Sequence, residues 1–237
     1  MTRSILLCCC FSLLFAFQYS HAKDYKIGIM VYDTVTTTDL LAPIDVFANA
    51  DQAAWIDRFE VVTIAADRTP VTTHQGLTII PDRIFTEVDA LDVLIVPSAH
   101  DKSLLKDQAI RAFILKHAKT AQFIAAHCAA AFALADVGLL DGRRATTFKG
   151  GENRLKREFP TTTVLDDVHV VVDGNIMTSN GGLMSYEASL LLLSLLTDDG
   201  FAKKVGDRFY YSRMLEEGRL AVINRPKPKQ SANESKN

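Results

Sequence analysis

The chain is poor in cysteine. Of its four cysteines, Cys8, Cys9 and Cys10 fall in one apolar run near the start, so Cys128 is the only one beyond Ala22. A single thiol cannot close an internal disulfide, so the fold must be held by its core. The chain also lacks an excess of either charge, with 26 Lys and Arg against 28 Asp and Glu. That balance gives no basic field for nucleic acid and no polybasic patch for a membrane surface. Cys-x-x-Cys and His-x-x-x-His spacings are missing, and strand alternation and a turn spread Asp166, Asp167 and His169 apart, so no metal site is expected. There is no phosphate-binding glycine loop and no internal repeat, and no cofactor is expected.

What the sequence does have begins with a leader. Arg3 precedes the apolar stretch Ile5–Phe17, and Ser20-His21-Ala22 is a small-x-small cleavage pattern. The apolar stretch is shorter than the roughly 18–20 residues that cross a bilayer. Residues 1–22 therefore read as a signal peptide, with a secreted or periplasmic mature chain starting at Lys23. The remainder fits one good-sized domain, 23–224. Residues 225–237 are Pro, Lys, Ser and Asn with no apolar pattern, and read as a disordered tail.

Along that domain, apolar strands alternate with helices. Tyr25–Tyr32 and Val93–Val96 are nearly continuous in apolar residues, as expected for strands covered on both faces. Thr38 opens a helix to about Ala50, with Pro43 near its start. Phe59–Ala65 reads as a second strand and Val71–Ile80 as an edge hairpin around Gly76. Leu104–Ala118 is an amphipathic helix whose buried stripe holds Ile110, Phe113, Ile114 and His117. Gln122–Ala126 is a strand and Ala129–Val137 a helix. Arg144–Phe148, Thr163–Asp167 and His169–Thr178 read as strands, the last turning at Asp173-Gly174. Asn153–Phe159, Ser185–Leu196 and Phe201–Met214 read as helices. This order predicts an α/β sandwich with a mainly parallel sheet. In such sheets the site lies beyond the carboxyl ends of the strands.

Cys128 stands where the apolar run Phe123–Ala126 gives way to the small-residue run Ala129-Ala130-Ala131. A strand that turns at once into a helix lifts the side chain at the turn out of the sheet, the geometry of a nucleophile elbow. The alternative is a small buried apolar residue. Asp39 lies in the first turn of the helix after the first strand, where it serves either as a partner of the helix dipole or as a carboxyl group facing Cys128. His100 follows Pro97-Ser98-Ala99 to the same sheet edge and is a candidate to complete a Cys/His/Asp set; otherwise it is a surface histidine. His127 adjoins the cysteine; alternation along a strand turns its side chain away, and a sharp elbow would swing it round to become a site residue, the alternative being a buried, structurally bonded histidine. His74 and His169 read as strand-surface residues. Gly181-Gly182 suits a small anion or a tight turn.

Five segments in order carry a resemblance: Thr38–Phe47, Asp92–Pro97, Ala125–Cys128, Gly138–Thr147 and Ile176–Gly182. Together they resemble the PfpI/ThiJ family of the class I glutamine-amidotransferase-like superfamily, nearest the isonitrile-hydratase branch and the amino-terminal domains of AraC-type regulators. No helix-turn-helix segment follows here, which argues against a DNA-binding regulator.

The resemblance implies a flavodoxin-like three-layer sandwich, a reactive Cys128, and Asp39 as the acid that hydrogen-bonds it. A carboxyl group donating to the sulfur and the start of the next helix would both lower the thiol pKa. Oxyanion donors map to the backbone of Ser98, Ala99 and Ala129. Five positions depart from the family. Phe148 replaces a histidine, Ala129 a threonine or histidine, Ser98-Ala99 a glycine pair, and Ala130 a glycine.

The implied activity is hydration or hydrolysis of a small molecule. A redox or stress protein working through oxidation of Cys128, and a binding module without turnover, are the alternatives. The resemblance also implies a homodimer.

Overall fold

The computed structural model describes residues 23–55 and 57–214. The expected leader (1–22) and tail (225–237) lie outside the described residues. The strands are β1 (Asp24–Met30), β2 (Arg58–Ala65), β3 (Val71–Thr72), β4 (Thr78–Ile79), β5 (Arg83–Ile84), β6 (Val93–Val96), β7 (Phe123–His127), β8 (Arg144–Ala145), β9 (Thr163–Val164), β10 (Val170–Asp173) and β11 (Ile176–Ser179). The helices are α1 (Thr37–Ala53), α2 (Gln108–Ala118), α3 (Ala130–Asp136), α4 (Glu152–Glu158), α5 (Met184–Leu196), α6 (Asp199–Arg208) and α7 (Tyr211–Met214).

Seven strands form the main sheet in the order β10-β11-β7-β6-β1-β2-β5. All neighbours are parallel except β10 and β11, which form an antiparallel hairpin. Helices flank this sheet in the mostly parallel, flavodoxin-like architecture that the sequence pattern predicts. The central strands β6 and β7 are almost wholly buried. Their runs Val-Leu-Ile-Val and Phe-Ile-Ala-Ala have no polar face to offer water, so only a position covered on both sides suits them.

Where the structure departs from the pattern, pairing and local stops explain it. The hairpin around Gly76 forms a separate two-stranded sheet, and β5 takes the main edge instead. The stretch from Leu104 to Ala118 is broken by Asp107, whose carboxylate caps α2 through the N–H groups of Ala109 and Ile110 at 2.8 and 3.1 Å. The expected buried stripe of α2 holds as read: Ile110, Phe113, Ile114 and His117 are all buried. Pro43 lies well inside α1, deeper than expected. The last helix is split in two at Tyr210, which has a φ of 56°. The strands expected at Arg144–Phe148 and Thr163–Asp167 shrink to two residues each, paired only with one another.

The four adjacent parallel strands β11, β7, β6 and β1 end at one edge of the sheet. They deliver Gly181-Gly182, Cys128, Ser98 and, through α1, Asp39 to that edge.

Candidate functional site

Cys128 follows the last residue of β7 with a φ of 55°. A non-glycine residue held in this left-handed region is strained by roughly 1–3 kcal/mol and persists only where its surroundings fix it. Two bonds fix it here. The Cys128 N–H donates to Ser179 O at 2.9 Å, extending the β7–β11 ladder past the strand end. The Thr147 hydroxyl donates to Cys128 O at 2.8 Å. Thr147 is held in turn by Asn180, whose amide donates to Thr147 O at 2.6 Å and to Thr146 Oγ1 at 3.1 Å. The elbow predicted from Phe123–Ala131 is thus present, with the cysteine partly exposed at the turn.

Asp39 is fully buried. Its Oδ1 accepts from Gly182 N–H at 2.7 Å and from the Ser185 hydroxyl at 2.8 Å, and its Oδ2 accepts from Ser98 N–H at 3.3 Å. These donors come from the β11–α5 turn, from α5 and from the segment after β6. Asp39 therefore ties together the segments that surround the cysteine, while its hydrogen bonds go to them and not to the sulfur. Between the two residues sits Gly181, at φ 80°. A Cβ there would lie 2.4 Å from Cys128 Cβ and 3.0 Å from Asp39 Oδ1. Only glycine allows the aspartate and the cysteine to come so close.

The electrostatics run against one expectation. The Cys128 thiol pKa is raised, first by burial and then by the charge of Asp39. A hydrogen bond from the Ser98 side chain, another from the Ala129 backbone and the charge of Lys102 all pull it down, but they do not win. The family resemblance implies that the helix start and the acid activate the thiolate. In the structure Asp39 acts on the sulfur as a like charge, and desolvation adds to it. The resting sulfur is a protonated thiol at neutral pH.

Of the three expected backbone donors, the Ser98 N–H is spent on Asp39 Oδ2 at 3.3 Å, so from that residue only the hydroxyl is left to act on the thiol, while the Ala129 N–H stands at the elbow itself. Ala99 instead forms a bridge with Val35.

Neither histidine is bonded to the sulfur among the described residues. His100 is exposed and stacks on His74 with ring centroids 3.9 Å apart. His127 is buried, with Nδ1 paired to the Ser179 hydroxyl at 2.7 Å and Nε2 without a partner. Burial lowers its pKa, against an opposing pull from Asp39. Tyr32, whose hydroxyl donates to Pro97 O, is pushed well above the usual phenol range by burial and by Asp39. Phe148 lies 6.3 Å from Phe132, ring to ring, in an apolar patch beside the elbow. His169 is exposed as expected and pairs with Glu187 at 3.0 Å.

Sequence reading missed Thr147 as the clamp on the elbow and Ser185 and Gly182 as donors to Asp39. Thr147 carried a signal, since it closes one of the five resembling segments. Ser185 carried none, because it lies 146 positions from its partner. Among the described residues no cluster of three or more His, Cys, Asp or Glu side chains is placed to hold a metal. No helix among them is long and apolar enough to cross a membrane.

The fold and the strained cysteine at the sheet edge define an α/β protein of the flavodoxin-like kind built around a nucleophile elbow. The DJ-1/PfpI family model matches residues 25–194, and the chain belongs to that family. It is 30% identical to an isonitrile hydratase of Pseudomonas putida over 189 residues, covering 79% of this chain and 78% of the relative. It is 31% identical over 152 residues to the protein DJ-1alpha of Drosophila melanogaster, covering 61% of this chain and 69% of that one. A solved ThiJ/PfpI family protein from Pseudomonas syringae shares the fold, with a TM-score of 0.71 at 24% identity over 90% of this chain and 80% of the other.

Proposed function

We propose that this chain is an exported, cysteine-dependent hydratase or hydrolase of small molecules, with isonitriles as the first substrates to test. One observation carries the reading. A partly open thiol stands on a strained elbow between two hydrogen-bond donors and a buried acid. The kinship with an isonitrile hydratase points the same way. The leader pattern Arg3, Ile5–Phe17 and Ser20-His21-Ala22 supports export.

A protonated resting thiol suits this chemistry. Addition to an isonitrile forms both an S–C and a C–H bond at the terminal carbon, so the sulfur and its proton both end on the substrate as a thioimidate. Asp39 relays that proton, because Oδ2 takes only one donor and keeps a lone pair free. The donors at Ser98 and Ala129 hold the sulfur while it is charged. Water then adds to the carbon, the C–S bond breaks, and the sulfur recovers a proton as the formamide leaves. The net reaction adds one water. No histidine is needed, which agrees with the positions of His100 and His127.

A second reading is an oxidisable stress protein, favoured by the missing histidine base and by the DJ-1 relative. The raised thiol pKa weakens it, because peroxide attacks the thiolate. We further infer a homodimer on family grounds.

The test is formamide production from a small alkyl isonitrile, with Cys128→Ser in parallel. The expected result is turnover by the native chain and none by the variant. Turnover retained by Cys128→Ser removes the nucleophile assignment. No turnover, combined with addition of two oxygens to Cys128 by peroxide, selects the second reading.

A further inference from the structure

A cavity of about 50 Å³ opens beside the elbow, lined by Lys102, Lys106, Phe132, Arg154, Phe159 and Ala129 among others. Ala129, which lines it, follows Cys128 directly, so the cavity begins one residue beyond the cysteine. The walls are aromatic. Phe132 lies 6.3 Å from both Phe148 and Phe159, centroid to centroid.

The charges around the cavity do not cancel. Of its two acids, Glu158 is taken by Arg154 at 2.7 Å, and Asp136 by Arg111 at 2.7 Å. Arg154 is spent on that pair and lies over the Phe132 ring at 4.9 Å. Lys102 and Lys106 form no ion pair among the described residues. Lys102 Nζ lies 4.4 Å over the Phe148 ring, which anchors a long side chain that would otherwise sweep through solvent. Phe148 follows Thr147, whose hydroxyl bonds Cys128 O, so Lys102 stands at the elbow, and its charge pulls the thiol pKa down against Asp39.

We propose that Lys102 selects the substrate: the electrophile that Cys128 attacks carries a carboxylate, which Lys102 holds beside the elbow. This rests on the reading of Cys128 as an accessible nucleophile. The cavity sets the size. A site needs about 10–15 Å³ to admit one water, so this one takes only a few non-hydrogen atoms. That limits the class to short carboxylates with the reacting carbon one or two bonds away, isocyanoacetate among them. A neutral electrophile of the same size would forgo the Lys102 contact.

Two alkylating reagents of nearly equal size test this without knowledge of the natural substrate. Iodoacetate is anionic and iodoacetamide neutral; in both, the thiolate sulfur displaces iodide and forms one C–S bond. Any change in thiol pKa alters both rates together, so the ratio of the two isolates recognition of charge. In the native protein the iodoacetate to iodoacetamide ratio at Cys128 should exceed that of a free-cysteine peptide. In Lys102→Gln it should fall about threefold or more, and further in Lys102→Glu, as expected for one charge near a partly screened site. Lys102 is exposed, so the variants keep the fold, which circular dichroism checks.

A ratio equal to the peptide's, or one unmoved by both substitutions, overturns the role of Lys102 while iodoacetamide labelling leaves Cys128 standing as a nucleophile. If neither reagent labels Cys128 in the folded protein, the accessible-nucleophile reading fails and the inference falls with it.

Discussion

At the scale of single residues, the relation between Asp39 and Cys128 carries the chemistry, and its sign is testable. Burial and the Asp39 charge together hold the thiol pKa up. Asp39→Asn removes the charge but keeps an oxygen for Gly182 N–H and the Ser185 hydroxyl, so the thiol pKa should fall. The rate of iodoacetamide labelling against pH reads that pKa directly. Turnover on an isonitrile should fall in the same variant, because an amide cannot relay the proton. Greater thiol acidity with lower turnover separates proton relay from thiolate activation. An unchanged thiol pKa in Asp39→Asn would mean that the carboxyl group does not act on the sulfur, and a raised one that it stabilises the thiolate instead; either outcome would end the relay. The amide NH₂ faces Ser98 N–H where Oδ2 now accepts, so a loss of stability of about 1–3 kcal/mol accompanies the change.

At the scale of elements, the site depends on the turn between β11 and α5 as much as on the elbow. Gly181 and Gly182 both have positive φ, 80° and 61°. Gly181→Ala would put a methyl 2.4 Å from Cys128 Cβ as well as into a disfavoured backbone region. The expected loss is on the order of 3 kcal/mol or more, read as a fall in the chemical-denaturation midpoint. Gly182→Ala meets open space and carries only the φ penalty, so it should lose distinctly less.

This turn shows what the sequence made legible. The strand–cysteine–helix succession at Phe123–Ala131 was readable because continuous apolar residues and a run of alanines have different periodic needs. The approach of α1 to that elbow was readable only through family resemblance. The partners of Asp39 were not readable at all, because they come from segments 59 to 146 positions away. Strands of two residues, such as β8 and β9, are too short for a period to fix their bounds, so Arg144–Phe148 and Thr163–Asp167 read as longer strands than form. The direction of the thiol pKa was missed for a related reason. It depends on how completely the elbow is desolvated, and burial is a property of packing between distant segments.

At the scale of the whole molecule, two buried histidines make stability depend on pH. His127 sits at the end of β7 under the site. His117 lies in α2, fully buried, with its ring 4.4 Å from that of Phe113 and neither nitrogen partnered. Burial lowers the pKa of both, with Lys116 adding to the shift at His117 and Asp39 opposing it at His127. The unfolded chain therefore binds protons at these positions before the folded chain does. Their contribution is fully present above about pH 6.5, the ordinary histidine value, and is lost as pH falls through the lowered folded-state values. Two protons bound on unfolding give a slope of up to about 2.7 kcal/mol per pH unit in that window. His117→Leu separates the two sites. It fills the same apolar stripe, removes two unpartnered nitrogens and should raise stability at neutral pH. It should also roughly halve the acid slope, leaving His127 to supply the rest. Urea denaturation between pH 5 and pH 7.5 measures both quantities. An unaltered slope in His117→Leu would place the proton uptake elsewhere.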